Sequence, residues 1–217
     1  TSGPYRDRLS PESLMALDLS KQRLETQGHS VQSIELPAEF EALDRHHRVI
    51  LHREGQASFR NLARRHGAAL HDDFHHRVEN RDGSSLLDLA RAYDATAMGR
   101  IAFDALMQDF DLLIAPSAPG FAPPGRRPGD PVFNASWTLL GVPCLNIPVP
   151  LGHPSLPIGV TLIAARFADQ HLLEAARRLE PFLNEIVVSR LSIQGDGTGT
   201  GAILVLFCSH QLCLESL

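Results

Sequence analysis

Among the side chains of this 217-residue chain that could act as nucleophile, base or metal ligand, the serines, the lysine, the histidines and the cysteines are the first to weigh. Ser84-Ser85 is the one adjacent serine pair, within Asp82-Gly83-Ser84-Ser85-Leu86-Leu87, and Lys21 is the only lysine. A serine nucleophile needs a neighbouring base and backbone N–H groups aimed at the oxyanion. Leucines that start a helix follow the pair, so it reads as a turn and a helix cap. Lys21 falls on a polar helix face and reads as a solvated charge. No catalytic residue is assigned within the chain. His71 and His75, in His71-Asp72-Asp73-Phe74-His75-His76, are four apart, which on a helix would put both on one face as zinc requires. No third ligand stands at a defined spacing, and residues 68–84 read as a polar loop. No metal is therefore assigned, and a metal-dependent hydrolase built on His71 and His75 is kept as an alternative. Arg45-His46-His47-Arg48 and His52 read as a solvated helix face. Cys208 and Cys213 do not by themselves make a zinc site. The glycine run 195–201 lacks the Gly-Lys-Ser/Thr ending of a phosphate loop, so no nucleotide or other cofactor is expected.

A second pattern is more particular. From Asp111 to Leu173 the chain reads Asp111-Leu112-Leu113-Ile114-Ala115-Pro116, then Ala122-Pro123, then Phe133-Asn134, then Gly141-Val142-Pro143, then Asn146-Ile147-Pro148, then Leu156-Pro157-Ile158-Gly159-Val160, then Asp169-Gln170-His171-Leu172-Leu173. Prolines at strand ends stop the ladder and fix the exit direction. A glycine before a strand lets backbone pass where a side chain would clash. Such devices shape a cleft at the ends of buried strands, where α/β folds tend to bind ligands.

In order and spacing this pattern resembles the C-terminal portion of the amidase signature family, the serine hydrolases that cleave carboxamides, and among them amidases of the indoleacetamide hydrolase and glutamyl-tRNA amidotransferase A-subunit kind. Upstream, Gly28-His29-Ser30-Val31 leading to Leu36-Pro37, and then a helix with Glu54, fit as well, so the resemblance covers roughly residues 8–180. It implies a C–N hydrolase working through a serine, a second serine in a cis peptide and a neutral lysine, with a small-molecule amide as substrate of the complete enzyme. The chain departs from the family in having no Gly-Gly-Ser-Ser-Gly-Gly run. The expectation is a C-terminal part whose catalytic residues lie elsewhere, inactive alone; a non-catalytic binding or assembly subunit is the alternative. In the family the short helix after the proline loop borders the cleft, which makes Asn134 and Trp137 the candidate substrate-binding residues. Helix capping by Asn134 and core packing by Trp137 compete with that role.

The elements that must position these residues follow from periodicity. Pro11 to Gln27 predicts a helix capped by Ser10 and ended at Gly28, with Leu14, Leu17 and Leu24 inward. Val31 to Leu36 alternates like a half-buried strand. Ala38 to about His66 predicts a long helix with Phe40, Leu43, Ile50, Ala57 and Leu62 in the core. Leu86 to Phe110 predicts another, with Leu86, Leu89, Ala90, Tyr93, Ala97, Ile101 and Leu106 inward. Leu112–Ala115, Cys144–Val149 and Gly159–Ala164 read as buried strands. Asn134–Leu140 and Asp169–Leu179 read as helices, the latter with Leu172, Leu173, Ala176 and Leu179 inward. Interleaved helices and short apolar strands predict an α/β domain over residues 1–180, helices packed on a mixed β-sheet that is incomplete, followed by an atypical tail at 181–217.

Composition narrows the function classes. A net charge of −5 and the lack of a basic stripe argue against nucleic acid as partner. The apolar run 202–208 is too short to span a bilayer, which argues against a membrane protein. Three cysteines do not make a disulfide framework, which favours a reducing, cytoplasmic setting. The chain opens Thr1-Ser2-Gly3-Pro4, with neither a secretory signal nor an initiator methionine, as expected of a processed chain or a piece of a longer one. A homodimer is a possible assembly.

Overall fold

The computed structural model describes residues 3–126, 128–151 and 156–185. Its elements run α1 (Pro11–Thr26), α2 (Leu43–His66), α3 (Asp72–Val78), α4 (Leu86–Leu106), β1 (Leu113–Pro116), α5 (Val132–Leu140), β2 (Cys144–Pro148), β3 (Gly159–Ile163) and α6 (Asp169–Leu183). Apart from the last turn of α6 and the two residues after it, the tail 181–217 lies outside the described residues. So do the glycine run, the apolar run after it, Cys208 and Cys213.

The strands pair in the order β1-β3-β2, so β3 is central. Both pairings are antiparallel, with Ala115 and Asn146 flanking Thr161, and Leu113 and Cys144 flanking Ile163. The fold class is the expected one, α/β with helices on a sheet, but the parallel pairing that a mixed sheet needs does not occur among the described strands.

Alternation along β3 divides the core. Ile163, with Leu113 and Ala115 of β1, faces Phe40, Leu43, Phe103, Trp137 and Leu140 from α2, α4, α5 and the turn before α2. Leu162, with Ile147 of β2, faces Leu24 of α1 and Leu172, Ala176 and Leu183 of α6. The sheet is thus sandwiched between two helical layers, and β3 is buried on both sides while β2 exposes alternate residues. That corrects the reading of β2 as a buried strand: it lies at the sheet margin.

Other local expectations change for physical reasons. Residues 31–36 take no regular secondary structure, with Ile34 and Leu36 packed on the core, so the expected strand does not form there. A short turn at Ala38–Phe40 precedes α2, and beyond Ile50 that helix leaves the core, so Ala57 and Leu62 are exposed. The polar stretch after Gly67 folds into α3. On α4 the inward stripe is Ala92, Thr96, Gly99 and Phe103, while Leu86, Tyr93 and Ile101 face outward. The reason is close approach: a Cβ at Gly99 would stand 3.2 Å from Leu140 Cδ2 and 3.3 Å from Leu43 Cδ2, so the small residues admit the neighbours. Likewise on α1 the buried line is Ser13, Ala16, Ser20, Arg23 and Leu24, and on α6 Leu173 is exposed. Arg23 is buried because its guanidinium donates to the carbonyls of Leu183, at 2.6 Å, and Glu185, tying α1 to the end of α6.

Candidate functional site

The Ala115–Thr161–Asn146 row lies on the α5 side of the sheet, where the apolar face gives way to polar groups. Continuing the alternation of β1, Ser117 follows on the same side. Its hydroxyl donates to Asn146 Oδ1 and shares a hydrogen bond with Thr161 Oγ1 at 3.0 Å. The side-chain amide of Asn134, in the first turn of α5, donates to the Ser117 carbonyl at 2.9 Å. Four hydroxyl or carboxamide side chains therefore meet where β1 turns into the proline-rich loop.

Two glycines of the sequence pattern make this possible. A Cβ on Gly159 would stand 2.7 Å from both Asn146 Oδ1 and the Ile147 carbonyl, so only hydrogen leaves room for the Asn146 side chain across the β2–β3 pair. Gly141 ends α5 at φ 70, the left-handed conformation of a helix terminus, with its N–H bonded to the Trp137 carbonyl at 3.0 Å. The last carbonyls of α5, Leu139 and Leu140, accept from Arg100 of α4. The proline loop is fastened at its other side to α1: Ser13 Oγ lies 3.1 and 3.0 Å from the carbonyls of Ala118 and Pro119, and Ser10 N–H donates to Pro119 as well.

Of the two candidate substrate-binding residues, Asn134 is exposed and Trp137 is not. Trp137 is 5% exposed and packs edge-on against Phe103, at 6.2 Å between ring centres, and against Phe40 at 6.0 Å. It occupies the core-packing position. Nor does Asn134 cap α5: the N-cap is Pro131, no side chain caps the helix, and the Val132 N–H donates to Asp130 Oδ1 just ahead of it. Ser117, Asn146 and Thr161 were not singled out from the sequence. Their signal is a polar residue at matched register in β2 and β3, with Ser117 just past the end of β1, legible only once the pairing is known.

The arrangement offers hydrogen bonds, not a nucleophile. The Ser117 partners are an amide oxygen and a hydroxyl, neither of which takes a proton at neutral pH. Cys144 is a free thiol whose pKa burial pushes up to about 11, so it stays protonated. Ser85 is the cap of α4, its hydroxyl accepting from the Asp88 N–H at 3.0 Å while the Asp88 carboxylate accepts the Ser85 N–H. Lys21 Nζ lies 3.9 Å from Glu25 Oε1 on α1, at the wall of a groove of about 400 Å³ between α1, residues 29–34 and the edge of β1.

The histidine cluster also divides. His71 caps α3, its Nδ1 accepting the Asp73 N–H at 3.3 Å, and His75 Nε2 pairs with the Gly67 carbonyl at 2.8 Å. The two are spent on local structure and are not brought to a common point with a third ligand. His46, His47 and His52 are partly buried rather than solvated, and desolvation lowers the pKa of each.

Among the described residues no helix is long and apolar enough to cross a membrane. The glutamyl-tRNA(Gln) amidotransferase A subunit of Wolinella succinogenes is 33% identical over 85 residues, covering 36% of this chain and 19% of that protein. Its mitochondrial counterpart in Rattus norvegicus is 34% identical over 73 residues, 34% of this chain and 14% of the relative. A crystal structure of an amidase superposes with a TM-score of 0.71 at 20% identity, over 84% of this chain and 45% of that one. The chain thus spans less than half the length of these proteins. The family model for amidase matches residues 3–173, and on that match, with the fold, the chain belongs to the amidase family.

Proposed function

We propose that this chain forms one wall of a carboxamide cleft in an amidase signature hydrolase, an enzyme that cleaves C–N bonds other than peptide bonds. On this reading the serine, cis-serine and lysine of the family mechanism lie outside the 217 residues, and the chain alone is inactive. The observation that carries the proposal is the Ser117–Asn134–Asn146–Thr161 cluster. It sets amide and hydroxyl groups where β1 turns into the proline loop, groups that match the donors and acceptors of a substrate carboxamide, while its serine lacks a base. Asn134 is the substrate-facing residue, and Trp137 holds its helix in place from the core. The two sequence relatives named above are amidotransferase subunits and the superposed structure is an amidase; for this chain the substrate class we propose is a small-molecule amide.

The test is ligand-observed NMR with benzamide and glutamine. Saturation transfer from the chain to the carboxamide, reduced in Asn134→Ala, supports the proposal; transfer unaffected by that change overturns the role of Asn134. A non-catalytic assembly role is the second reading. It is favoured by the outward apolar face of α4, where Leu86 is 70% and Ile101 63% exposed. A monodisperse, fully folded dimer in sedimentation would favour it.

A further inference from the structure

Away from the carboxamide wall, three ligand-type side chains converge at the corner where α3 folds back on α2. The corner is built by close helix packing. Gly55 of α2 is buried under the stem of Arg77, whose Cδ would stand 3.0 Å from a Cβ there, and Phe59 meets Phe74 edge-on at 4.9 Å. One turn before Gly55 on α2 stands His52, and beside Arg77 on α3 stands His76. Their rings lie 5.2 Å apart at 87°. The turn after α3, held by the Asn80 carbonyl accepting from Gly83 N–H and by Asn80 Nδ2 donating to the Ser84 carbonyl, swings Asp82 between them.

One ligand atom from each of His52, His76 and Asp82 lies within 4.8 Å of the other two. Asp82 Oδ2 is 2.5 Å from His52 Nδ1, and Oδ1 is 3.4 Å from His76 Nε2. Yet His52 Nδ1, buried from solvent, has no hydrogen-bond partner: the carboxylate is near but not aligned with it. A buried ring nitrogen without a hydrogen bond, facing a carboxylate and a second imidazole, is a position a cation would satisfy. Burial, reinforced by the neighbouring His76, Arg77 and Arg48, lowers the His52 pKa against the pull of Asp82.

We propose that His52, His76 and Asp82 bind a divalent transition-metal ion of the zinc type, which clamps α3 and the following turn onto α2. Two imidazoles with one carboxylate select such ions over magnesium or calcium, whose preference is for oxygen. Tetrahedral bonds of about 2.1 Å put neighbouring ligand atoms about 3.4 Å apart. The His76 Nε2–Asp82 Oδ1 separation already matches, and binding requires the carboxylate to turn so that the shorter His52 contact, made by the other oxygen, is relieved. The partial exposure of His76 and Asp82 leaves the fourth position to water. The pair suggested by spacing, His71 and His75, is not part of this site.

The experiment uses the 217-residue chain, stripped with a chelator and titrated with zinc chloride by calorimetry. Cobalt chloride is the visible-absorption probe, and magnesium chloride the competitor. One equivalent of zinc is expected, unaffected by magnesium and accompanied by a rise in thermal midpoint. His76→Gln and Asp82→Asn each weaken binding at least about tenfold and abolish the cobalt spectrum, while His71→Ala and His75→Ala bind like the parent. His76 lies far enough toward solvent for its variant to fold, which circular dichroism checks. Three results overturn the proposal: no stoichiometric zinc, unchanged affinity in His76→Gln, or loss of binding in His71→Ala. The first leaves the three residues as a metal-free polar cluster, and the last transfers the site to the spacing-based pair.

Discussion

The side-chain amide of Asn134 donates to the backbone carbonyl of Ser117 at 2.9 Å, joining the first turn of α5 to the exit of β1. This bond fixes the proline loop relative to the sheet and so defines the polar corner. Asn134→Ala removes a donor from an exposed site where water can replace it, so the expected loss is about 1 kcal/mol or less by urea denaturation. A loss well above that would mean the bond holds more of the fold than its exposure allows.

Gly159→Ala is expected to destabilise by about 1–3 kcal/mol, because the new methyl meets the Ile147 carbonyl, which cannot turn away without breaking the β2–β3 pairing. Gly67→Ala makes the opposite case. Its backbone is already helical and the nearest atom, His75 Cε1, is at 3.7 Å, so a gain of about 0.4–1 kcal/mol is expected. Equal effects from the two substitutions in urea melts would refute the close-approach account of the Leu-Pro-x-Gly-Val pattern.

Arg23→Ala leaves the Leu183 carbonyl at the C-terminal end of α6 without its buried donor. The cost is expected at about 1–3 kcal/mol, with faster amide exchange in the last turn of α6 as a local signature. Exchange that speeds up uniformly instead would show that the bond does not tie α1 to α6.

Arg166 holds the Asp104 carboxyl below the usual carboxylate range through its hydrogen bonds, linking α4 to the turn before α6. A depressed folded-state pKa stabilises above the unfolded value, about 3.9, and that contribution is lost as pH falls through the folded value. The pair is partly exposed, so solvent screens it and its contribution at neutral pH is small. The stability difference between the parent and Arg166→Ala should therefore be flat near neutrality and shrink below about pH 4. A difference that grows on acidification contradicts the assignment.

The sequence carried those features whose cause is local. Gly141 and Pro143 mark the end of α5, Ser10 and Pro11 the start of α1, and the apolar runs mark where β1, β2 and β3 lie, because caps, prolines and apolar runs are local signals, whereas the burial of β2 and the pairing that residues 31–36 lack are not. What it did not carry was set by distant packing. On α4 the large apolar residues suggested one face, but the stripe of Ala92, Thr96 and Gly99 was chosen by how closely Leu43 and Leu140 could approach. The partners of the candidate site were hidden for the same reason: Ser117, Asn146 and Thr161 are 44 residues apart at the extremes, and only the strand register gathers them. Trp137, distinctive as the only tryptophan, is held among Phe40 and Phe103 in the core.

The central claim is that this chain supplies a recognition wall and no reactive group. Ammonia release from glutamine and from aryl and aliphatic amides by the purified 217-residue chain tests it most directly. The expected rate is indistinguishable from buffer and unchanged in Ser117→Ala and Ser84→Ala. Turnover above background that disappears in either variant would contradict the claim.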